Sequence, residues 1–483
     1  MQSTIINFVG IGFGAISRLI QPFVMSSSQI GILSFIDSIN GVFAIIFSLG
    51  YNLIMKKIFP SYRDEDKGHH GFLVFGLLLS IVGIAIGLTI FFLLEEQIIT
   101  NRSENQDIVR PFVYAIPVLI IFKILYLNID GYARMLFKTV IGTFLDGLLT
   151  KVIFLLLIIA LYLSALEFDS FILLYCIVLS APGFLITLYA FKITKKITFP
   201  DRDIFKSENR LGSYILFGLL AGSSSSIIQY VDTFMIYKML PNDATSYIGI
   251  YYLMMFAAVL ISIPQRNINR ISAVIISESW KENDIDNIQE IYQKSALNLL
   301  IIGSFLFIIG WACIDPVFEY LPEYRIGKFA FFFLGLAKVI ELGTGVNMEI
   351  IEASSKYKYI AYFNLLLAVL VILFNFIFIQ YYGIVGAAFA TFLAMLIVNF
   401  FRAVLLKRAF NLWPFSAKLY LTVLIVAIFI TVFSFLDYSA HPLLKIAINA
   451  SLITLIYWLL VVKLNLSEDI NGTFYRLKKR FFK

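Results

Sequence analysis

Charge, sulfur and imidazole are all scarce in this chain. Only 14% of its 483 residues are charged, and it holds two cysteines and three histidines. Soluble globular chains carry about 25% charged and 45–50% apolar residues, whereas 60% of this one is hydrophobic. A soluble enzyme is excluded. Cys176 and Cys313 both lie inside apolar runs, which gives neither a disulfide framework nor a zinc site. His69, His70 and His441 fall in predicted loops, so no in-membrane histidine is placed to act as base or metal ligand. There is no Gly-x-x-x-x-Gly-Lys-Ser/Thr phosphate loop, which removes the nucleotide-driven pumps. No basic segment precedes the first apolar run, which begins near Ile5 and carries Arg18, so it reads as a first span and not as a cleavable signal.

Long apolar runs are what the chain has instead. A membrane helix takes roughly 20 mostly apolar residues, and the apolar content suffices for about fourteen. The runs place spans at 5–26, 30–56, 70–94, 110–133, 139–163, 168–193, 212–238, 246–269, 293–316, 327–351, 358–380, 383–406, 417–437 and 441–463. The fold class is therefore an all-α polytopic membrane protein. The basic residues segregate between alternate loops. Twenty-eight fall on the side of both termini, and only Arg102, Arg110, Lys238, Arg325, Lys328 and Lys445 fall on the other. The positive-inside rule makes the richer side cytoplasmic. Topology thus accounts for the net charge of +7, and no nucleic-acid partner is implied.

A weak internal repeat divides the spans. Gly14–Gln21 aligns with Gly222–Gln229 at a shift of 208, and Ile30-Gly31-Ile32 aligns with Ile248-Gly249-Ile250 at 218. Ser61–Asp66 then aligns with Ser279–Asp284 at the same 218. Six helices separate the copies, so both have the same orientation, as in transporters built from parallel repeats. The expected organisation is a six-helix lobe at 1–193, a cytoplasmic linker at 194–211, a second six-helix lobe at 212–408, two further helices at 409–463 and a basic cytoplasmic tail at 464–483.

The stretch Tyr382-Gly383-Ile384-Val385-Gly386-Ala387-Ala388-Phe389-Ala390-Thr391, followed by Asn399, Phe400, Arg402 and Asn411-Leu412-Trp413-Pro414-Phe415, carries a resemblance. Tyr230-Val231-Asp232-Thr233 and Glu352-Ala353-Ser354-Ser355-Lys356 support it. The chain resembles the polysaccharide-type (Wzx-type) flippases of the multidrug/oligosaccharidyl-lipid/polysaccharide exporter superfamily. The resemblance implies two six-helix lobes around a central cavity, with two extra C-terminal helices. It implies movement of undecaprenyl-diphosphate-linked oligosaccharide units, of O-antigen, capsule or exopolysaccharide type, from the cytoplasmic to the periplasmic leaflet of a bacterial inner membrane. No enzymatic activity and no cofactor are implied, only a proton or sodium gradient. The implied partners are the lipid-linked substrate, the bilayer, and the polymerase and chain-length proteins of such a pathway.

Four cations belong to neither set of loops: Arg18, Lys123, Lys151 and Lys338 each fall well inside a span. Charge at bilayer depth is costly and usually faces a bundle interior or a watery cavity. Arg grips phosphate oxygens with a planar fork and Lys acts as a point charge, so the four suit a lipid diphosphate. The competing reading is local neutralisation. Lys338 and Glu341 are three apart on one helix face, Arg18 and Asp37 share the outer half of adjacent spans, and Asp146 and Lys151, five apart, are poorly spaced to face each other. Asp37, Asp232 and Glu341 are candidates for ion coupling, because a neighbouring cation and desolvation shift a carboxyl in opposite directions. Gly10/Gly14 and Gly83/Gly87 have the spacing that lets helices approach closely, while Pro117, Pro182, Pro264 and Ser223–Ser226 are candidate helix breaks.

Two other classes compete. A multidrug or metabolite exporter of the same superfamily is the nearer, usually with twelve spans and an acid-biased cavity. A membrane glycan polymerase or ligase is less favoured, because the longest outer loops, Glu95–Val109 and Pro316–Ile326, are short for catalysis outside the membrane.

Overall fold

The structure is a computed structural model that describes residues 2–99, 106–201, 230–240, 243–436 and 438–481. Every regular element among them is helical. Eleven of these helices are long and apolar enough to cross a membrane, or twelve if the bent pair Pro322–Gly343 and Asn347–Ala353 is one span. With no water to satisfy backbone groups in hydrocarbon, a chain of this composition crosses as helices. The protein is an all-α polytopic membrane protein. By contacts it divides into two compact units, Met1–Gly249 and Ile250–Lys483.

The first unit opens with α1 (Gln2–Val24) and α2 (Ser27–Phe47). Ser26 caps α2: its hydroxyl accepts from the Gln29 amide while the Gln29 side chain accepts from the Ser26 amide at 3.0 Å. The expected span 30–56 is not one helix. Leu49 and Gly50 adopt positive φ, 54° and 67°, and restart the chain as α3 (Tyr51–Lys57). Next come α4 (Phe72–Ile99), α5 (Gln106–Val113), α6 (Ile116–Met135) and α7 (Thr139–Gly142). A single π-helical stretch, Thr143–Leu149, leads into α8 (Thr150–Tyr162), and α9 (Phe168–Ile193) closes the series. Of the proposed breaks, Pro117 stands at the start of α6, where its missing N–H costs nothing. Pro182 lies within a continuous α9, and Ser223–Ser226 lie outside the described residues.

The glycine pairs act as close-packing points. Gly10 faces the backbone of Gly147, Gly14 faces the stem of Lys151, and Gly83 and Gly87 face Phe47. At one end of the unit, Tyr51, Phe59, Phe72, Ile129, Tyr132 and Ile186 form a buried apolar core. Residues 194–201 of the expected linker fold back onto the α3–α4 connection. Thr194 Oγ1 meets the Tyr132 hydroxyl at 3.0 Å, the Asp201 amide donates to the His70 carbonyl at 3.1 Å, and Lys195 donates to Glu65 at 2.5 Å. That hydrogen bond holds the Glu65 carboxyl below and the Lys195 ammonium above their ordinary values.

The expected span 246–269 also divides. It becomes α10 (Ala244–Ile261), which begins in the first unit, and α11 (Ile263–Glu282), with Pro264 in the first turn of α11. The second unit continues with α12 (Ile285–Tyr320), α13 (Lys328–Gly343) and α14 (Asn347–Ala353). The last two share one expected span, bent by 49°. A 52-residue stretch follows, α15 (Tyr359–Phe410), whose backbone reverses character at Gly383, φ 56° and ψ −135°. That conformation is essentially reserved for glycine, and it separates the expected spans 358–380 and 383–406. Then come α16 (Ala417–Phe435), α17 (Pro442–Lys463) and α18 (Glu468–Phe481). The expected span 212–238 is described only over its last residues, where 230–239 is helical.

The sequence repeat has a physical counterpart inside the first unit, where the start of α2 crosses the start of α10. Ser27 Oγ lies 2.5 Å from Ser246 Oγ, and Ser28 Oγ lies 2.7 Å from Thr245 Oγ1. A shift of 218 maps Ser27 on Thr245 and Ser28 on Ser246, so the two hydrogen bonds exchange under it. Gly31 and Gly249, also related by 218, meet face to face. A Cβ on Gly249 would come within 2.9 Å of the Gly31 amide nitrogen, and one on Gly31 within 3.1 Å of that of Gly249. Reciprocal contacts of this kind are what a local two-fold produces.

Candidate functional site

Three of the four in-span cations come together in the first unit. Arg18 projects from α1, Lys123 from α6 and Lys151 from α8, and all three act electrostatically on Asp37 of α2. Asp146 and Arg18 both act on Lys151 as well. The set therefore holds three cations and two acids on five segments. Their positions follow from local structure. The Lys151 stem runs along α1, with its Cδ 3.4 Å from where a Cβ on Gly14 would stand. Larger residues at Gly10 or Gly14 would push α8 and its lysine away.

Lys123 is held directly, its Nζ donating to Asp146 Oδ1 at 3.0 Å, with side chains 30% and 41% exposed. Nζ also lies 5.1 Å from the ring centre of Tyr126. Asp146 reaches Lys123 from the π-helical stretch Thr143–Leu149. Such stretches cost regular hydrogen bonding and occur often at functional sites. Asp37 accepts a hydrogen bond from the Tyr175 hydroxyl at 2.8 Å. On α1 and α2, Gln21 and Asn40 are buried, and Gln21 Oε1 and Asn40 Oδ1 have no hydrogen-bond partner among the described residues.

The expected residues therefore distribute as follows. Arg18, Lys123, Lys151 and Asp37 share one cluster. Asp232 is buried in the helical stretch 230–239 of the same unit and is engaged with neighbours. Lys338 belongs to the second unit, where its ammonium donates to Glu341 at 2.9 Å across one turn of α13, as their spacing allows. Asp146 and Tyr175 are neighbours of this cluster that sequence spacing did not supply. Each contact joins different helices, 23 and 138 residues apart, so no periodicity within one span signals it.

The second unit has its own polar chain. Asn399 Oδ1 accepts from Thr344 at 3.2 Å and from Asn347 at 3.1 Å. Arg402 is buried, donates to Asn364 at 3.3 Å, and feels the charges of Glu341 and Glu349. Among the described residues, no group of three or more His, Cys, Asp or Glu side chains is placed to hold a metal ion.

No family model matches this sequence, and no curated protein does. Solved structures match through their fold. The lipid II flippase MurJ, in an inward closed conformation, has a TM-score of 0.67 at 16% identity, covering 96% of this chain and 99% of that one. An inward-facing multidrug resistance MATE family transporter of the MOP superfamily has 0.65 at 13% identity, over 85% and 95%. A MOP superfamily transporter from Pyrococcus furiosus, whose binding pocket is described as of reverse polarity, has 0.54 at 11% identity, over 85% and 95%. At such identities the likeness is one of architecture, and the chain has the helical fold that MOP superfamily transporters share.

Proposed function

We propose that this protein is a flippase that moves lipid-linked oligosaccharides, carried on an isoprenoid diphosphate, across the bacterial cytoplasmic membrane by alternating access. The observation that carries this reading is the cluster of Arg18, Lys123 and Lys151 against Asp37 and Asp146. One excess positive charge at membrane depth suits an anionic headgroup better than a cationic drug. Arg18 supplies bidentate hydrogen bonding to phosphate oxygens, and the lysines supply movable charge. In the same reading Lys338, in the second unit, is a phosphate-binding residue once Glu341 releases it. Asp37, Asp232 and Glu341 couple transport to a proton or sodium gradient, both termini face the cytoplasm, and the two six-helix repeats are the moving parts.

The test is genetic. Arg18→Ala or Lys151→Ala, at unchanged protein level, abolishes surface glycan in a flippase-null strain. Full complementation by both variants defeats the proposal. Asp37 and Asp146 favour a second reading, a multidrug or metabolite exporter in which the acids bind a cation. That reading requires Asp37→Asn to raise drug accumulation while leaving surface glycan unaltered.

A further inference from the structure

Beyond Lys463 the chain makes a built turn and starts a new helix, α18. Asn465 takes a left-handed conformation, φ 48°, and the Leu466 amide donates back to the Val461 carbonyl at 3.1 Å, the hydrogen bonding that ends a helix and redirects the chain. Side chains then pin the first turn of α18. Ser467 Oγ donates to Asn298 Oδ1 at 2.5 Å, Asn298 Nδ2 donates to Asp469 Oδ2 at 2.8 Å, and Asn471 Nδ2 donates to Asn465 Oδ1 at 2.7 Å. Leu466, Ser467 and Asn471 are buried. Both acids of α18, Glu468 and Asp469, sit in this pinned turn and interact with Lys294 of α12. The acidic end is thus engaged by the protein itself.

The remainder of the helix has the opposite character. From Gly472 onward the sequence holds Arg476, Lys478, Lys479, Arg480 and Lys483 and no acid. Ile470, Phe474, Leu477 and Phe481 recur at spacings of four, three and four, which is one stripe of an α-helix. Phe474 is 44% exposed. A basic face beside an apolar stripe, on a helix anchored where a membrane helix ends, is the pattern of a helix lying in the headgroup layer. A nucleic acid or an acidic protein would satisfy the charges and leave the stripe without a use.

We infer that α18 docks on the adjacent leaflet and binds anionic lipid headgroups, its apolar stripe entering the acyl boundary and its basic residues meeting the phosphates. Each cationic side chain adds to attraction toward an anionic surface, and that attraction fades within a Debye length. This surface is separate from the cluster around Asp37.

The full-length protein, with Cys176 and Cys313 replaced by Ala, is spin-labelled at Phe474→Cys or, in a second variant, Leu477→Cys. It is reconstituted in nanodiscs of phosphatidylcholine alone or with phosphatidylglycerol. The expected result is a label reached more by oxygen than by a water-soluble nickel reagent in the phosphatidylglycerol discs. That preference falls several-fold in pure phosphatidylcholine, in about 1 M salt, where the Debye length is about 3 Å, or in R476Q/K478Q/K479Q/R480Q. Equal depth in both lipids, with no response to the substitutions, overturns the charge assignment. A label in water at both positions in every lipid overturns the proposal and leaves the basic face to an acidic macromolecule.

Discussion

Asp146→Asn separates a cluster that binds an anion from one that only locks helices. Asp146 pairs with Lys123 at 3.0 Å and also acts on Lys151. If the acids exist to neutralise lysines, removing either partner damages the protein in the same way. If the cations hold a diphosphate, Asp146→Asn frees Lys123 and raises the cluster's net charge, whereas Lys123→Ala lowers it. A unit charge about 8 Å from a bound phosphate is worth about 2 kcal/mol at an effective dielectric of about 20, which is about thirtyfold in affinity. Asp146 is 41% exposed and Lys123 30%, so water screening brings this to about 1 kcal/mol, or about fivefold. The expected outcome is that farnesyl diphosphate binds detergent-purified Asp146→Asn about fivefold more tightly, and Lys123→Ala about fivefold less tightly, by calorimetry at fixed salt. Shifts in the same direction for both variants, or no shift in either, refute the anion site.

Three further outcomes follow from the geometry. Gly383→Ala, at φ 56° and ψ −135°, loses about 1–3 kcal/mol of stability, read as a lowered unfolding temperature in detergent. Gly31→Val and Gly249→Val each cost about 1–3 kcal/mol by overpacking the crossing of α2 with α10; the double variant costs clearly less than the sum, because both disrupt one contact. Glu65 is held below its ordinary value by Lys195, so the stabilisation this pair gives is present above the unfolded carboxyl range and is lost as pH falls through the lowered value. Cleavage after Lys195 in limited proteolysis therefore rises on acidification in the wild type, and Glu65→Gln shows the same cleavage at all pH values.

Most of the fold was legible because hydropathy is a one-dimensional signal and the bilayer demands helices. The in-span cations were legible by subtraction, once topology had accounted for the rest. The Lys338–Glu341 pair was legible because its partners share a helix turn. What the sequence concealed is backbone geometry inside apolar runs. Leu49, Gly50 and Gly345 stand within spans that read as continuous, yet α2 and α13 end there or nearby, whereas Pro264, a candidate break by sequence, does sit where α10 gives way to α11. Apolar side chains look alike on either side of a break. The π-helical stretch of Asp146 was hidden for the same reason. Adding one residue to a turn moves the carboxylate off the face assigned to it by a regular helix, and Asp146 pairs with Lys123 of α6.

The crossing of α2 with α10 has a local symmetry that follows the shift of 218. Three residues, Ile-Gly-Ile, matching at a shift of 218 are common in apolar helices and prove little. The same shift also relates Ser27 to Thr245 and Ser28 to Ser246, and these four hydroxyls bond in the crossed order that a two-fold requires. The glycine of the matched triplet is the residue on which the crossing depends, since a Cβ on either copy meets the backbone of the other helix. A substitution at Gly31 and its counterpart at Gly249 should therefore be equivalent in effect, and an unequal pair of stabilities would argue that the local symmetry is only apparent.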